Sequence, residues 1–291
     1  MDMIYKKARA KINLTLMVLN KREDNYHNIK SVFQKVNLYD ELYIYKTDTD
    51  KLEIETNVES IKGDKNIIYK AYMKLKESYK IFGVRVVLKK KIPMQAGLAG
   101  GSTDCASFIL GINELFGLGL SKEEMKKIGS SIGADVVPCF YNNALIAEGI
   151  GDIITSIDTD FKYYIVIVKP KFACDTGSMY KKIDEQGKNN VLDKTDEIVK
   201  GLKEHNVKIV ADNLYNSFEE TIADKEEIIN IKNELIKFGA FGSLMTGSGS
   251  CVYGIFDSKK IAKNAYEKIK LSYETYICLS YNSKRGSYFD I

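Results

Sequence analysis

Apolar residues at Ala10, Ile12, Leu14, Leu16 and Val18 alternate with polar ones. A period of two predicts a strand, and it gathers Lys11, Asn13 and Thr15 on the opposite face. The polar run NKREDNYHN that follows reads as a turn, with Asn25 where a left-handed residue is tolerated. SVFQKVNLYDELYIYKT alternates again, as one or two further strands. The spacing then lengthens. Ile68, Tyr72 and Leu75 share one helical face in a segment that ends at Gly83, and VRVVLKKKIP returns to strand. Cys105, Ile109, Ile112 and Phe116 lie four, three and four residues apart, which predicts an amphipathic helix closed by Gly117.

A second helix follows in LSKEEMKKIGSSIGAD, opened by a Ser121–Glu124 capping box and ending near Gly133. ALIAEGIGDIITSI reads as a hairpin, and KYYIVIVKPK as a buried strand cut by Pro170. From Asp175 to Asn213 the chain is charged and weakly periodic, consistent with short helices and loops. Helical spacing returns from Leu214 to Phe238. GSLMTGSGSCVYGIF then gives strand, glycine turn and strand, SKKIAKNAYEKIKLSY a helix, and ETYICLSYN a closing strand. Strands and helices mix without regular βαβ alternation, so the fold class is α+β. A shallow boundary near residues 156–161 divides the chain into lobes at 1–158 and 159–291.

Composition narrows the function. The 291 residues are 45% hydrophobic and 28% charged, with 43 Lys plus Arg against 39 Asp plus Glu and no long block of either sign. That balance argues against a nucleic-acid tail or a basic membrane patch. The five cysteines are scattered, odd in number and without CxxC spacing, so neither a disulfide framework nor a metal knuckle is expected, and a reducing compartment is. The first residues carry a basic, then apolar, run, but it alternates and lacks a small-residue cleavage site, so it reads as a retained strand. No apolar run reaches the roughly 18 residues of a membrane helix. The expected setting is the cytoplasm, with a small molecule as partner and neither nucleic acid nor membrane.

The chemistry-bearing stretch is IPMQAGLAGGSTDCA, residues 92–106. A strand enters, Gly97, Gly100 and Gly101 turn the chain, and a helix leaves from about Ser102. Unpaired amides and partial positive charge at a helix head suit a phosphate, and glycines let it approach the backbone. The lysine of a Walker-type loop is missing. Taken alone, Lys11 reads more readily as a solvated strand charge than as a catalyst, and Asp135 as an ordinary acid at a helix end.

Four ordered blocks, AKINLTL, PMQAGLAGGSTDCA, GADVVPCF and MTGSGSCVYGIF, together resemble the GHMP kinases, whose nucleotide loop is not of Walker type. KREDNYHNIKSVFQKVNLYDEL and AEGIGDIIT are similar to the members whose acceptor is a cytidyl diphosphate ester of methylerythritol. The likeness runs over nearly the whole chain. It implies a two-lobed fold with an N-terminal lobe like ribosomal protein S5 domain 2, and ATP with Mg2+ as cofactors. Carried onto this chain, Lys11 and Asp135 are catalytic. Asp135 takes the proton of the attacking hydroxyl and Lys11 keeps it ionised, a pair worth about 4 kcal/mol at ~4 Å and an effective dielectric of 20.

The resemblance also implies that Pro93, Met94, Gln95, Ala96, Gly97, Leu98, Ala99, Gly100, Gly101, Ser102 and Thr103 hold the nucleotide, with Asn66, Ile68 and Asn113 near the adenine. Ser102 or Thr103 ligands the metal, with Ser102 preferred. Asn13, Tyr26, His27, Thr176 and Tyr180 contact the substrate, an aromatic pair stacking on the base and His27 bonding its edge. Departures from the family pattern are Thr103 for a second serine, a proline shifted one place after Asp135, Asn25 for glycine and Asp175 for serine. A sister kinase acting on homoserine, mevalonate or a sugar, and a catalytically silent nucleotide-binding module, are the alternatives. The oligomeric state is left open.

Overall fold

The computed structural model describes residues 2–187, 192–222 and 225–283. The alternation that begins the chain becomes β1, Met3–Lys21, paired antiparallel with β2, His27–Thr47. β2 is one strand of 21 residues, where the pattern left one or two open. Asn25 turns the chain between them with φ 66°. The register slips between Arg9 and Lys11 and again between Asn13 and Thr15. Such bulges bend a strand and re-aim its side chains, and here they flank the residues of most chemical interest.

β3, Leu52–Thr56, lies parallel to β4, Gly83–Lys89, and β4 pairs with the second half of β2. The hairpin β5, Leu145–Gly149, and β6, Ile153–Ser156, pairs with the first half. On the other side, β7, Tyr164–Lys169, β9, Gly242–Met245, β10, Val252–Phe256, and β11, Glu274–Tyr281, run antiparallel in the order β11-β7-β10-β9. β11 also bonds β2 through Ser280 and Tyr281, which makes the sheet continuous across the molecule. The short β8, Tyr215–Asn216, runs parallel to β1.

Three helices cover one half of the sheet: α1, Ile67–Ser78, α2, Gly100–Phe116, and α3, Lys122–Ile132. Their core joins Tyr72, Leu75, Phe108 and Ile112 to Leu42, Ile44, Val84 and Val86. α2 settles tightly on the sheet because Gly111 has no side chain: a Cβ there would lie 2.4 Å from Ile44. After the single turn α4, Val136–Cys139, come α5, Thr176–Gln186, α6, Thr195–Lys203, and α7, Val207–Asp212. α8, Lys225–Lys237, and α9, Lys259–Ile269, pack Ile231, Leu235, Ala262 and Ile269 on Val166, Val168 and Phe256. Ala10, Ile12 and Leu14 lie in a third core with Tyr163, Ile167 and Tyr253.

The Ser121–Glu124 capping box forms in full, and Gly117 closes α2 with φ 61°. Two boundaries differ from the pattern. α1 stops at Ser78, and Gly83 opens β4, where a Cβ would stand 2.0 Å from the Thr49 carbonyl. Within 214–238 the α-helix is confined to Lys225–Lys237, after a 3-10 turn at Ser217–Glu220, and the Asn216 side chain donates to the Met245 and Gly247 carbonyls where residues 215–216 form a strand.

Candidate active site

One cleft of about 700 Å³ opens between the head of α2, the bulged middle of β1, residues 173–180 and the turn 247–249. Its floor is the glycine loop. Gln95, Gly97 and Ala99 take φ values of 51°, 73° and 56°, so left-handed residues alternate along the loop. Gly97 is pressed against the β9–β10 turn, and a Cβ would meet the Thr246 carbonyl at 2.0 Å. The Ala96 carbonyl accepts from Cys251 N, and Leu98 O from Lys11 N at 3.2 Å, so both lobes anchor the loop. The first intrahelical bond of α2 runs from Thr103 N to Ala99 O, leaving the amides of Gly100, Gly101 and Ser102 ahead of it. A Cβ on Gly101 would touch only Ile67, at 3.8 Å. The helix head is thus an open anion cradle.

Beside the cradle, β1 brings Lys11 into the cleft wall. Its ammonium donates to Asn13 Oδ1 at 2.6 Å and lies 4.6 Å over the Phe33 ring. Burial pulls its pKa below the ordinary lysine value, and the nearby Asp135 charge only partly opposes this. Asp135, just ahead of α4, lines the same cleft and is exposed to it. The two form no ion pair, so the closed contact expected from the sequence is corrected: Asn13 and Phe33 hold the ammonium, and the carboxylate stays open. Asn13 is correspondingly committed. Its Oδ1 also accepts from Gly247 N, and its Nδ2 donates to Ser31. It lines the cleft, but as the residue that fixes Lys11 and the glycine turn rather than as an open substrate ligand.

The loop from Pro93 to Ser102 lines the cleft, as does Asn66, whose buried Nδ2 has no partner. Thr103 does not. Its hydroxyl turns inward to the Arg9 carbonyl at 2.8 Å, as a helix interior threonine does when a strand carbonyl is in reach. Ile68 is wholly buried, its amide spent on the Asn66 cap. Asn113 sits on the last turn of α2, at the opposite end from the cradle, and accepts from Leu120 N. All three expectations of nucleotide contact are corrected.

At the other end, Thr176 bonds Ser248 at 2.7 Å, and Tyr180 lines the cleft, edge-on to Phe218. The ring stacked on Tyr180 is His27, at 4.9 Å and 18°. Tyr26 points away, 57% exposed at the turn and outside the cleft wall, so no aromatic sandwich stands ready-made.

Sequence reasoning missed a buried cluster under the loop. Lys90 bridges Asp104, at 2.6 Å, and Asp40, whose other oxygen takes the Lys91 and Ile92 amides. Burial pushes the Asp104 carboxyl well above its usual range, and neighbouring Asp40 adds to the rise while Lys90 opposes it. The two acids lie 64 positions apart and on different elements, so no local spacing signals them.

An anion cradle, a sequestered ammonium and an accessible carboxylate on one cleft define a phosphotransferase for small molecules. The descriptions "GHMP kinases N terminal domain" and "GHMP kinases C terminal" match residues 66–143 and 198–275. The 4-diphosphocytidyl-2-C-methyl-D-erythritol kinase of Alkaliphilus oremlandii (strain OhILAs) is 40% identical over 289 residues, covering 97% of this chain and 98% of its own. The enzyme of that name from Clostridium tetani (strain Massachusetts / E88) is 40% identical, covering 93% and 98%. A crystal structure of 4-(cytidine 5'-diphospho)-2C-methyl-D-erythritol kinase superposes with a TM-score of 0.82 at 24% identity, over 96% of this chain and 100% of that one. The chain belongs to the GHMP kinases, ATP-dependent phosphotransferases, and has their mixed α and β two-domain architecture. No helix among the described residues is long and apolar enough to cross a membrane.

Proposed function

We propose that the protein transfers a phosphoryl group from ATP to the 2-hydroxyl of 4-diphosphocytidyl-2-C-methyl-D-erythritol, in the methylerythritol phosphate route to isoprenoid precursors, in the cytoplasm. Identity of 40% over nearly the full length to kinases of that name supports the substrate. The observation that carries the chemistry is the single cleft shared by the loop, Lys11, Asp135 and Tyr180. Residues 1–158 form the nucleotide lobe and 159–291 the second lobe in this reading.

The amides of Gly100, Gly101 and Ser102 grip the phosphates, and Asn66 offers its unpartnered Nδ2 to the adenine. Asp135, open to the cleft, accepts the hydroxyl proton as the oxygen attacks. Lys11, whose ammonium feels the Asp135 charge, stabilises charge on that oxygen. Little covalent help is needed, because phosphoryl transfer depends on positioning and charge neutralisation. The Ser102 hydroxyl lines the cleft at the helix head and would be a hard-oxygen ligand for Mg2+ beside the phosphate-binding amides. When bound there, the metal neutralises phosphate charge. Thr176, Tyr180 and His27 form the base end of the acceptor site, with Tyr26 close in sequence on the turn.

A coupled ADP-release assay with the cytidyl acceptor, mevalonate, homoserine and galactose tests the reading. Turnover confined to the cytidyl acceptor is expected. Preference for any other acceptor refutes the substrate, and no turnover with any of them refutes the enzyme.

A further inference from the structure

Tyr180 lines the base end of the cleft, and His27 stacks on its ring without itself lining the wall. His27 is the first residue of β2 and is buried against Tyr180. Its Nε2 lies 2.6 Å from Asp184 Oδ1, on α5, the helix that also carries Thr176 and Tyr180. The second oxygen of Asp184 takes Lys21 Nζ at 2.7 Å. Lys21 ends β1, so one carboxylate joins both strand ends of the first turn to α5.

The chemistry of this contact fixes a tautomer. Hydrogen bonds from Lys21 and then from His27 hold the Asp184 carboxyl below the usual carboxylate range, so it is ionised and can only accept. Nε2 therefore carries the proton. In the neutral imidazole Nδ1 is left with its lone pair, and among the described residues it makes no hydrogen bond. A fixed acceptor next to a tyrosine ring favours a base with an exocyclic amino group. It disfavours a base with a carbonyl at that position, since two acceptors would face each other unpaired.

We propose that Asp184 is a specificity-determining positioning residue: through Nε2 it locks His27 parallel to Tyr180, with Nδ1 as acceptor for the amino group of cytosine and against the carbonyl of uracil. The proposal rests on the cytidyl reading above. It adds what makes the base end selective. Asp184 touches neither ATP nor the transferred phosphoryl, so its influence passes entirely through His27.

The test compares cytidyl and uridyl diphosphate esters of methylerythritol as acceptors. Wild type should prefer the cytidyl ester, and Asp184→Ala should cut that preference at least about tenfold, equivalent to ~1.4 kcal/mol. KM for ATP should stay within about twofold. Asp184→Asn, with one acceptor oxygen for two donors, should fall between. An unchanged cytidyl-to-uridyl ratio in Asp184→Ala, or a parallel rise in both KM values, overturns the proposal. A second arm does not need turnover. The chain has only two histidines, so nitrogen-15 NMR with a His205→Gln assignment variant reads the His27 tautomer. Nε2–H in the wild type that becomes mixed in Asp184→Ala is expected, and Nδ1–H in the wild type overturns the proposal even if the acceptor panel fails.

Discussion

Replacing Asn13 tests how the protein keeps a charged lysine inside the cleft wall. The Asn13 side chain is 1% exposed, and its oxygen receives the Lys11 ammonium at 2.6 Å. A hydrogen bond to a buried charge contributes about 1.5–3 kcal/mol. Asn13→Ala removes a bond that is stronger to the ammonium than to the neutral amine, so the Lys11 pKa should fall, by up to about one to two units at ~1.36 kcal/mol each. Burial already sets that pKa below the ordinary lysine value. In the proposed mechanism activity requires the protonated form, so the alkaline limb of kcat/KM should lie below pH ~10.4 in the wild type and move lower still in Asn13→Ala.

The same change strips Gly247 N and the Ser31 hydroxyl of a partner, each costing roughly 1–3 kcal/mol, so the melting temperature should also drop. Asn13→Asp separates the two effects. It is nearly isosteric and sets a carboxylate against the ammonium, which should move the limb upward. The assay is coupled ADP release from pH 7 to 10.5, with thermal melts at each pH. Limbs that do not move, or that move the same way in both variants, refute the assignment of Lys11 as the titrating cation and reduce Asn13 to a structural residue.

Asp135→Asn should cut kcat by at least about a thousandfold with ATP binding, measured by titration calorimetry, nearly unchanged; a small loss of turnover would mean another base. Gly97→Ala should abolish ATP binding, because φ of 73° and a contact 2.0 Å from Thr246 O leave a methyl no room. Tyr26→Ala should weaken the cytidyl acceptor, read as KM, far more than ATP; equal weakening counts against a stacking role. Asp104 gives a prediction in pH. Its folded pKa is raised well above 3.8, so from pH ~4 up to that folded pKa the unfolded chain releases this proton first and stability falls as pH rises. Asp104→Asn should flatten that fall, giving a smaller drop in melting temperature from pH 5 to 7.5, whereas Asp40→Asn, which keeps an oxygen for the Lys91 and Ile92 amides but sets an NH2 donor against the Lys90 ammonium, should destabilise at both.

What could be read from the chain follows from how local each signal is. The strand at 10–18, the helix at 105–116 and the capping box at 121–124 rest on interactions within a few residues, and they appear where the spacing put them. The glycine loop was legible for the same reason. Thr103 was misjudged because both hydroxyls look alike in sequence, and only the Arg9 carbonyl, 94 positions away, decides which turns inward. Asn113 is three helical turns beyond the cradle, a distance that the motif likeness did not weigh. Asp40 and Asp184 act across 50 and 157 residues and Asn216 across 31, and none carries a periodicity of its own.

In the proposed mechanism, the open geometry of Lys11 and Asp135 is the form the site needs before its acceptor arrives. A closed salt bridge would satisfy both charges and would have to be broken for an alcohol to reach the carboxylate, a loss charged against every turnover. Here the ammonium is already satisfied by Asn13 and by the face of Phe33, and its cavity is built by two bulges in one strand. Asp135 therefore stays accessible, influenced by the lysine without being bound to it. The acceptor hydroxyl can bridge the gap, giving its proton to one side while its oxygen gains a cation on the other. That division explains why the strand carries asparagine two residues after the lysine: the side chain that orients the charge leaves the base free.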